Sequence, residues 1–448
     1  MNLVVRSGNP LSGEVEIPGD KSISHRAALF AALAEGQSRL EHFLVSGVTE
    51  SMLHALTALG VPWQLSNASL VVSGRGLHGL ASPADSIDCG NSATTLRLLA
   101  GTLAAAGLPA VLDGTPGLRK RPMGRIVEPL QAMGAAIQAA PSGGAPLTLA
   151  GRPQSQKLHA LAYSLPVASA QVKSCLLLAA LAAGGPLSLT EPSLSRDHSE
   201  RMLRAMGVQI ETFTAPGGEP GLTLIPPASE MRLAPLCLAI PGDFSAAAFL
   251  LVAGLITPGS DLLLKGVGLN PTRTGLLKIL REMDADIQIL NLGEISGEPV
   301  GDLRVRASLL HGGAVSGERV VEMIDEFPVF AVAAAFAHGR THVRQAAELR
   351  YKESDRIHAI CSGLGALGVQ VEETPDGFDI FGSGTARGGA RLDPGGDHRL
   401  AMALAVAGLA TGRPVVIENA GILAESFPDF PSVLRSLGAI IAETGEEG

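Results

Sequence analysis

The sequence predicts an α/β protein of two similar domains, each with buried helices and sheets on the outside. Two helix patterns alternate along the 448 residues. Each pattern occurs six times, so the chain divides into units of roughly 75 residues, longer than the 20–50 residues of a solenoid repeat. One pattern is rich in alanine with little polar surface, which is typical of helices in a protein interior.

The first pattern is Leu-x-x-(Leu/Met)-Gly followed by a short run that alternates like a strand, as in Val208–Glu211. It predicts the end of a helix, a residue in a turn or left-handed conformation, and then a strand. One copy has Asp284 in place of glycine. The six copies are Leu56–Gly60, Leu130–Gly134, Leu203–Gly207, Leu280–Asp284, Leu364–Gly368 and Leu434–Gly438.

The second pattern is a capping residue that opens an alanine-rich helix, closed by a glycine. The predicted helix starts are Asp20, Asn91, Ser169, Asp243, Asp325 and Asp397. The predicted closing residues are Gly36, Gly107, Gly184, Gly254, Gly339 and Gly408.

The domain boundaries are predicted where Ile-Pro-Gly-Asp occurs twice, at Ile17–Asp20 and Ile240–Asp243. Domain 1 then comprises residues 1–19 and 241–448, and domain 2 comprises residues 20–240. We expect the N-terminal strand to pair into the second half of the chain.

The composition excludes several classes of protein. Hydrophobic residues make up 46% and charged residues 17%, which argues against disorder, and aromatic residues make up only 3%, too few for stacking single-stranded nucleic acid. The net charge of −9 disfavours binding to nucleic acid or anionic membranes, so an anionic ligand needs a local cluster of cations. The four cysteines form no metal or disulfide pattern, no signal-peptide core is visible, and the apolar runs are too short to span a membrane. We therefore expect a cytoplasmic protein.

The first helix start carries an anion-binding pattern. Lys21, Ser22, His25 and Arg26 share one helix face, opposite the apolar stripe that begins at Ile23. A helix N-terminus already favours an anion through its free N–H groups and its dipole. The alternative is a solvated first turn with surface Lys and Arg.

Similar groups occur at other helix starts in the same half. Gly90–Thr95 is a small polar helix start whose amides can hold a phosphate, and Arg119–Arg125 contains four cations in seven residues. Ser169 to Gln171 opens a third helix, and Arg196 follows a strand. Each of these alone is more often an ordinary cap or a solvated charged face.

The second half adds carboxylates. Asp325 opens a very apolar helix, and Lys352–Arg356 is predicted to open another, with Lys352 and Arg356 on one face beside Glu353. Asp397–Arg399 repeats the arrangement. The alternatives are a helix cap and a surface ion pair worth a few tenths of a kcal/mol. Several cationic helix starts with two carboxylates predict a site for multiply charged anions and a reaction that needs a proton donor and a proton acceptor.

With these motifs in order, the chain resembles the 5-enolpyruvylshikimate-3-phosphate synthase family over its whole length, and more particularly the glyphosate-tolerant bacterial class. No single motif is specific, but nine of them at family-like spacing are. They are Gly19–Arg26, Gly90–Thr94, Lys120–Gly124, Ser169–Lys173, Arg196–His198, Asp325–Pro328, Lys352–Arg356, Asp397–Arg399 and Ser426–Pro428.

The resemblance implies the fold and the reaction. The fold would be two domains, each of three βαβαββ units with helices inside, an inside-out α/β barrel of the enolpyruvyl transferase type that closes on its ligands. The reaction would transfer the enolpyruvyl group of phosphoenolpyruvate to the 5-hydroxyl of shikimate 3-phosphate, with release of phosphate. No metal or organic cofactor is implied. We expect a monomer with these two small-molecule partners, which binds neither nucleic acid nor membranes.

The resemblance also implies roles for individual residues. Asp325 would take the 5-hydroxyl proton, and Glu353 would donate a proton to the methylene carbon with help from Lys21. The contacts to shikimate 3-phosphate would be Ser22, Arg26, Ser169, Gln171, Arg196 and Lys352. The contacts to phosphoenolpyruvate would be Lys21, Asn91, Arg121, Arg356 and Arg399, and the substrate-binding set also includes Ala93, Ala170, Asp325 and His398.

Two departures and two rival interpretations accompany the resemblance. Many relatives have Lys at the position of Glu425 and some have Asn at that of Glu348, departures that affect individual contacts and not the reaction. UDP-N-acetylglucosamine enolpyruvyl transferase shares the chemistry, but its family has Lys-Asn in place of Lys21-Ser22 and a reactive Cys that has no match near Arg119–Arg125. The other rival, a catalytically silent anion-binding relative, is disfavoured because Asp325 and Glu353 are both present.

Overall fold

The computed structural model describes residues 1–153, 155–227 and 232–445. Its strands are β1 Asn2–Arg6, β2 Ser12–Glu16, β3 Glu35–Glu41, β4 Trp63–Ser66, β5 Ser69–Arg75, β6 Ile87–Asp88, β7 Ala110–Asp113, β8 Ile137–Ala139, β9 Leu147–Leu149, β10 Leu161–Ser164, β11 Leu187–Thr190, β12 Gln209–Thr214, β13 Pro220–Ile225, β14 Cys237–Ala239, β15 Asp261–Gly268, β16 Asp286–Ile295, β17 Glu298–Arg306, β18 Ala314–Val315, β19 His338–Val343, β20 Gln370–Thr374, β21 Gly377–Ser383, β22 Arg391–Leu392, β23 Val415–Ile417 and β24 Ile440–Thr444.

The α-helices of the described residues are α1 Lys21–Leu33, α2 Gly47–Ala58, α3 Ala93–Ala106, α4 Pro116–Arg119, α5 Gly124–Ala132, α6 Ala170–Ala180, α7 His198–Ala205, α8 Phe244–Ile256, α9 Gly275–Glu282, α10 Glu318–Glu322, α11 Phe327–Ala335, α12 Arg356–Ala366, α13 His398–Gly408 and α14 Phe430–Ser436. Short 3-10 helices occur at Leu77–Gly79, Ala347–Tyr351 and Ala420–Glu425.

The chain forms two compact units, each with its own hydrophobic core. Unit 1 comprises Met1–Pro18 and Pro241–Gly448, and unit 2 comprises Gly19–Ile240. The N-terminal strand belongs to unit 1: β1 pairs antiparallel with β23 and β24, with Leu3 opposite Ile417.

Six four-stranded sheets share one topology. In each sheet a parallel pair at one edge is continued by two antiparallel pairs, as in β6-β7-β9-β8 and β10-β11-β13-β12 of unit 2. The third sheet of unit 2 is β14-β3-β5-β4, and its edge strand β14 lies close to the C-terminal end of the unit 2 segment. In unit 1 the sheets are β16-β17-β15-β2, β18-β19-β21-β20 and β22-β23-β1-β24, two of which are completed by the N-terminal strands.

The alanine-rich helices are buried, whereas the helices of the first pattern keep one exposed side. All 13 residues of α8 are buried, as are all residues of α11 and α13. Apolar side chains on every face leave such a helix no stable place except a core. By contrast, α7 and α9 bury only part of their surface. No helix of the described residues is long and apolar enough to cross a membrane.

The first sequence pattern is confirmed at all six copies. The last residue of each copy has a positive φ: 74° at Gly60, 91° at Gly134, 95° at Gly207, 88° at Gly368 and 107° at Gly438. Asp284, the exception to glycine, has φ 68°. Each copy is followed by a strand, from β4 to β24.

The second pattern was wrong about most of its closing glycines. Gly107 is a left-handed C-cap as predicted. Gly408 is the last residue of α13, in agreement with the prediction. Gly36 and Gly339 instead lie in strands β3 and β19, Gly184 lies beyond the C-cap of α6, and Gly254 lies inside α8. Since these helices are buried, tertiary packing rather than a local stop signal fixes their ends.

Candidate active site

The first helix start of unit 2 begins at the predicted cap. Asp20 is the N-cap of α1, and its side chain accepts a hydrogen bond from the Ile23 N–H at 2.9 Å. Lys21 and Ser22 are half-buried, whereas His25 and Arg26 are only 1% and 2% exposed. The alternative of a solvated first turn is therefore wrong for His25 and Arg26.

Arg26 is held by hydrogen bonds on all three guanidinium nitrogens. Its Nε donates to Ser199 Oγ at 2.8 Å, its Nη2 to Ser174 Oγ at 3.0 Å and its Nη1 to the Ser22 carbonyl at 3.0 Å. These contacts join α1 to α6 and α7. A buried guanidinium fixed in this way is preorganised to present its charge in one direction.

His25 connects the start of α1 to the start of α3. Its Nδ1 lies 2.8 Å from the Lys21 carbonyl, and its Nε2 lies 3.2 Å from Ser92 Oγ. Burial, reinforced by the nearby charges of Lys21 and Arg26, lowers the pKa of His25 to about 4. The imidazole is therefore neutral at pH 7, and its role here is structural.

The start of α3 is one residue later than predicted. Ser92, not Asn91, is the N-cap, and its Oγ accepts from the Thr95 N–H at 3.1 Å. Asn91 lies outside the helix, where its Oδ1 accepts from Thr115 Oγ1 at 3.2 Å. Ala93 is the first helical residue and is buried.

The cation-rich turn separates into side chains with different surroundings. Arg119 is exposed and forms a bidentate pair with Asp113, at 2.9 and 2.6 Å. Lys120 is also exposed, whereas Arg121 is half-buried. Of the four cations in this segment, Arg119 and Lys120 therefore match the solvated alternative, whereas the half-buried Arg121 and Arg125 do not.

Sequence reasoning missed Arg97, which links three of the predicted segments. Its Nη1 donates to Gln171 Oε1, and its Nη2 donates to the Pro122 carbonyl at 3.1 Å. Gln171 Nε2 in turn donates to Thr94 Oγ1 at 2.8 Å. Ser169 is the N-cap of α6 as predicted, with Ala170 as the first helical residue. Arg97 lies in the second turn of α3, away from the capping residues from which the site was predicted, so no local signal indicated this role.

Arg196 lies in the segment between β11 and α7 and points back to α1. It is half-buried, and its Nη1 donates to Ser22 Oγ at 3.3 Å. The first turns of α1, α3 and α6 are thus joined through His25, Arg97 and Arg26, and Arg196 reaches the same group.

In unit 1 the buried guanidinium of Arg356 lies among three carboxylates. Its Nε donates to Asp397 Oδ2 at 2.7 Å, its Nη2 to Glu353 Oε2 at 2.7 Å, and its Nη1 lies 3.6 Å from Asp325 Oδ1. Burial alone would lower the pKa of Arg356, but the charges of Asp397, Glu353 and Asp325 outweigh it and raise the pKa above its ordinary value.

Asp325 is not a helix cap, contrary to the alternative considered above. The N-cap of α11 is Glu326, whose buried carboxylate accepts from Ser245 Oγ. The Asp325 side chain is 19% exposed, and its two oxygens lie 3.6 Å from Arg356 and 3.7 Å from Arg399. A carboxylate that makes ion pairs yet keeps contact with solvent can still reach a substrate.

Asp397 is a cap, and it organises the remaining predicted residues of unit 1. Its Oδ1 accepts from the backbone N–H groups of Arg399 at 3.0 Å and Leu400 at 3.4 Å. His398 and Arg399 are 3% and 4% exposed. This buried carboxylate therefore fixes both the start of α13 and the guanidinium of Arg356.

The prediction for Lys352 was wrong in one respect. Asp355 is the N-cap of α12, so Lys352 and Glu353 precede the helix, and Lys352 has an extended backbone. Lys352 and Arg356 therefore do not share a helix face. The local ion pair that forms is Glu353 with Arg356.

A family model described as EPSP synthase (3-phosphoshikimate 1-carboxyvinyltransferase) matches residues 5–434. The chain belongs to this family. Membership in the EPSP synthase family confirms the function predicted from the sequence, transfer of an enolpyruvyl (carboxyvinyl) group to 3-phosphoshikimate in the shikimate pathway.

Full-length relatives agree with this assignment. The chain is 47% identical over 437 residues to the 3-phosphoshikimate 1-carboxyvinyltransferase of Citrifermentans bemidjiense, covering 97% of this chain and 99% of the relative. It is 48% identical over 425 residues to the enzyme of the same name from Geobacter sulfurreducens, covering 95% and 96%.

Solved structures confirm the predicted fold. The chain is similar to EPSP synthase from Acinetobacter baumannii, with a TM-score of 0.85, 40% identity, and coverage of 98% of this chain and 99% of that one. It also resembles the enolpyruvyl transferase NikO from Streptomyces tendae, with a TM-score of 0.78, 20% identity, and coverage of 99% and 98%, a similarity of fold alone.

Proposed function

We propose that Asp325 and Glu353 are the acid–base pair of the enolpyruvyl transfer. The observation that carries this proposal is the binding of one buried guanidinium, that of Arg356, to both carboxylates. Each of the two side chains keeps slightly under a fifth of its surface exposed, 19% and 18%. The pair is therefore held in place yet open to ligand.

In this mechanism Asp325 takes the proton of the 5-hydroxyl as that oxygen attacks C2 of phosphoenolpyruvate. Glu353, with help from Lys21, gives a proton to the methylene carbon, which becomes a methyl group, and a tetrahedral phosphate ketal forms. Loss of one methyl proton and of phosphate then restores the double bond. The cations stabilise the ketal and its phosphate through charge-assisted hydrogen bonds.

The proposed contact residues divide into two sets, one for each substrate. We assign Ser22, Arg26, Ser169, Gln171, Arg196 and Lys352 to shikimate 3-phosphate. We assign Lys21, Asn91, Arg121, Arg356 and Arg399 to phosphoenolpyruvate. The substrate-binding set also includes Ala93, Ala170, Asp325 and His398. The hydrogen bonds of Arg26 support this assignment, because a guanidinium fixed before the ligand arrives loses little entropy when it binds.

Phosphate release distinguishes this proposal from its rivals. We expect release with phosphoenolpyruvate and shikimate 3-phosphate, and none when UDP-N-acetylglucosamine replaces the latter. Release only with the UDP-sugar would favour the other enolpyruvyl transferase. No release with either acceptor, together with measurable binding of shikimate 3-phosphate, would favour a silent anion-binding relative.

We further propose that this enzyme belongs to the glyphosate-tolerant class, on the basis of Ala93. The resemblance to the family places glycine here in glyphosate-sensitive members and places glyphosate in the phosphoenolpyruvate site, where it extends past the shorter substrate. Ala93 is 2% exposed, so there is little space around its methyl group. Overpacking costs about 1–3 kcal/mol, which corresponds to roughly five- to 150-fold in affinity.

Inhibition constants test this assignment. Ala93→Gly should lower the glyphosate inhibition constant by at least about fivefold, with little change in the KM for phosphoenolpyruvate. Helix propensity alone would give a different result, a loss of about 1 kcal/mol of stability with no change in inhibition. Inhibition constants that agree within about twofold would exclude the methyl group as the cause.

We also propose a monomeric, cytoplasmic enzyme that binds no nucleic acid. The net charge of −9 and the absence of a disulfide among the cysteines of the described residues support this proposal. Light scattering of the purified protein, which should give a mass near 45.9 kDa, tests the assembly state.

A further inference from the structure

Lys173 is a fully buried lysine for which the reaction gives no role. It lies in α6, is 1% exposed, and its ammonium group has three partners. It donates to Glu191 Oε1 at 2.8 Å and to the Ser195 carbonyl at 3.2 Å, and it pairs with Glu200 Oε1 at 2.8 Å. We call Lys173, Glu191, Ser195 and Glu200 the Lys173 network.

The Lys173 network is an unusual way to stabilise a protein interior. The side chains of Glu191 and Glu200 are 5% and 4% exposed, so a charge of −1 is buried after pairing. Burial lowers the pKa of Lys173, but the charges of Glu200 and Glu191 outweigh this effect and raise it, which keeps the amine protonated. Because buried ion pairs often contribute no more stability than apolar residues of the same volume, stability alone does not account for the network.

What the network does fix is the backbone immediately before Arg196. The Ser195 carbonyl belongs to the peptide bond that continues into Arg196, and this carbonyl accepts from Lys173. Ser195 Oγ also donates to Glu191 Oε2 at 2.6 Å, so both the backbone and the side chain of Ser195 are held. The segment between β11 and α7 has no helix or strand of its own to fix it. Its geometry near Arg196 therefore depends on these contacts.

We propose that Lys173 is a positioning residue for Arg196 and thereby increases the affinity for shikimate 3-phosphate. This inference rests on the proposed role of Arg196 in binding that substrate. Without the ammonium group, the Ser195 carbonyl loses its donor and the two carboxylates repel each other, so Arg196 samples more positions than the one in which it reaches Ser22 Oγ. Lys173 itself is 1% exposed, and its ammonium group already has Glu191, Glu200 and the Ser195 carbonyl as partners.

The test compares Lys173→Met with Arg196→Ala, the double variant, and the control Lys157→Met, which changes an exposed lysine of the same unit. The dissociation constant of shikimate 3-phosphate, measured by calorimetry without phosphoenolpyruvate, should rise about tenfold in Lys173→Met. The KM for phosphoenolpyruvate should stay within about twofold of the unmodified enzyme, since Arg196 is not among its contacts. Lys157→Met should change neither value. A general loss of packing would affect both substrates alike.

The double variant separates the two proposals. Because Lys173 acts through Arg196, adding Lys173→Met to Arg196→Ala should raise the dissociation constant no further. If Arg196→Ala weakens binding but a folded Lys173→Met does not, the positioning role is wrong and the role of Arg196 stands. If Arg196→Ala itself leaves binding unchanged, the assigned role of Arg196 fails, and the inference about Lys173 fails with it.

Lys173→Gln keeps the test decisive if Lys173→Met does not fold. Its amide can still donate to one of the two carboxylates, but the positive charge and the contact with the Ser195 carbonyl are lost. We expect a rise of at least about threefold in the dissociation constant of shikimate 3-phosphate, with no change in the KM for phosphoenolpyruvate. An unchanged dissociation constant in folded Lys173→Gln would overturn the inference.

Discussion

Replacing Asp325 with asparagine separates catalysis from stability at the proposed general base. Asparagine has the same shape, so the change removes only the charge and the ability to take a proton. The two ion pairs of Asp325, at 3.6 and 3.7 Å, are long, and the side chain is 19% exposed. Arg356 also keeps its two closer partners, Asp397 and Glu353, each at 2.7 Å, so loss of the Asp325 charge should cost about 1 kcal/mol or less. No helix cap is lost, because Glu326 holds that position.

The chemical effect should be much larger than the effect on stability. Loss of a general base lowers turnover by about a hundredfold or more, which corresponds to about 2.7 kcal/mol in the activation barrier. We therefore expect the free energy of unfolding of Asp325→Asn to lie within about 1 kcal/mol of that of the unmodified enzyme. Turnover at saturating substrates should fall at least about a hundredfold. Binding of shikimate 3-phosphate should be largely retained.

Phosphate release at saturating substrates and chemical denaturation provide the two measurements. Asp286→Asn is a matched control, because it removes an exposed carboxylate that pairs with Arg306 at 3.3 Å. Asp286→Asn should not lower turnover as Asp325→Asn does, and it should leave the free energy of unfolding nearly unchanged. Near-normal turnover in folded Asp325→Asn would refute the role of Asp325 as the general base. Asp325 would then be only an electrostatic partner of Arg356.

Three further predictions test binding, titration and backbone strain. Arg121→Ala should weaken the binding of phosphoenolpyruvate by about 1.5–3 kcal/mol and the binding of shikimate 3-phosphate much less. Equal losses of binding free energy for the two substrates would mean that Arg121 contributes only to the general electrostatic field of the site. The pKa of His25 is about 4 in the folded protein, against an ordinary value of 6.5. Between these pH values the unfolded chain binds a proton at His25 and the folded protein does not, so about 3 kcal/mol of the free energy of unfolding should be lost as the pH falls from 6.5 to about 4. A His25→Gln variant whose denaturation shows the same pH dependence would contradict this. Gly207→Ala should destabilise by about 1 kcal/mol because its φ is 95°, whereas Gly293→Ala, also in open space but without a positive φ, should not; equal melting temperatures would refute the strain argument.

The features that sequence reasoning predicted well are those fixed by neighbours along the chain. A left-handed residue after Leu-x-x-(Leu/Met) is needed to satisfy the last carbonyls of a helix, and all six copies have it, including the non-glycine Asp284. The caps Asp20, Ser169 and Asp397 are local for the same reason. Each of these depends on a few residues, so the sequence contains enough information to predict it.

The features that were missed depend on residues far apart in sequence. Arg97 binds Gln171, 74 residues away, and Arg26 binds Ser199, 173 residues away. Spacing within a segment cannot reveal such partners. The misplacement of Lys352 has a related cause, since Asp355 competes as a cap and moves the start of α12 past it.

Exposure of the partners, rather than the pairing itself, separates a reactive cluster from a supporting one. Each unit contains a fully buried cation among carboxylates, Arg356 in unit 1 and Lys173 in unit 2. The carboxylate partners of Lys173 are at most 5% exposed. Among the partners of Arg356, Asp397 is equally closed, but Asp325 and Glu353 remain 19% and 18% exposed. A proton can pass between a carboxylate and a substrate only where the carboxylate is accessible. The same arrangement of charges can therefore carry out chemistry around Arg356 and hold a backbone segment around Lys173.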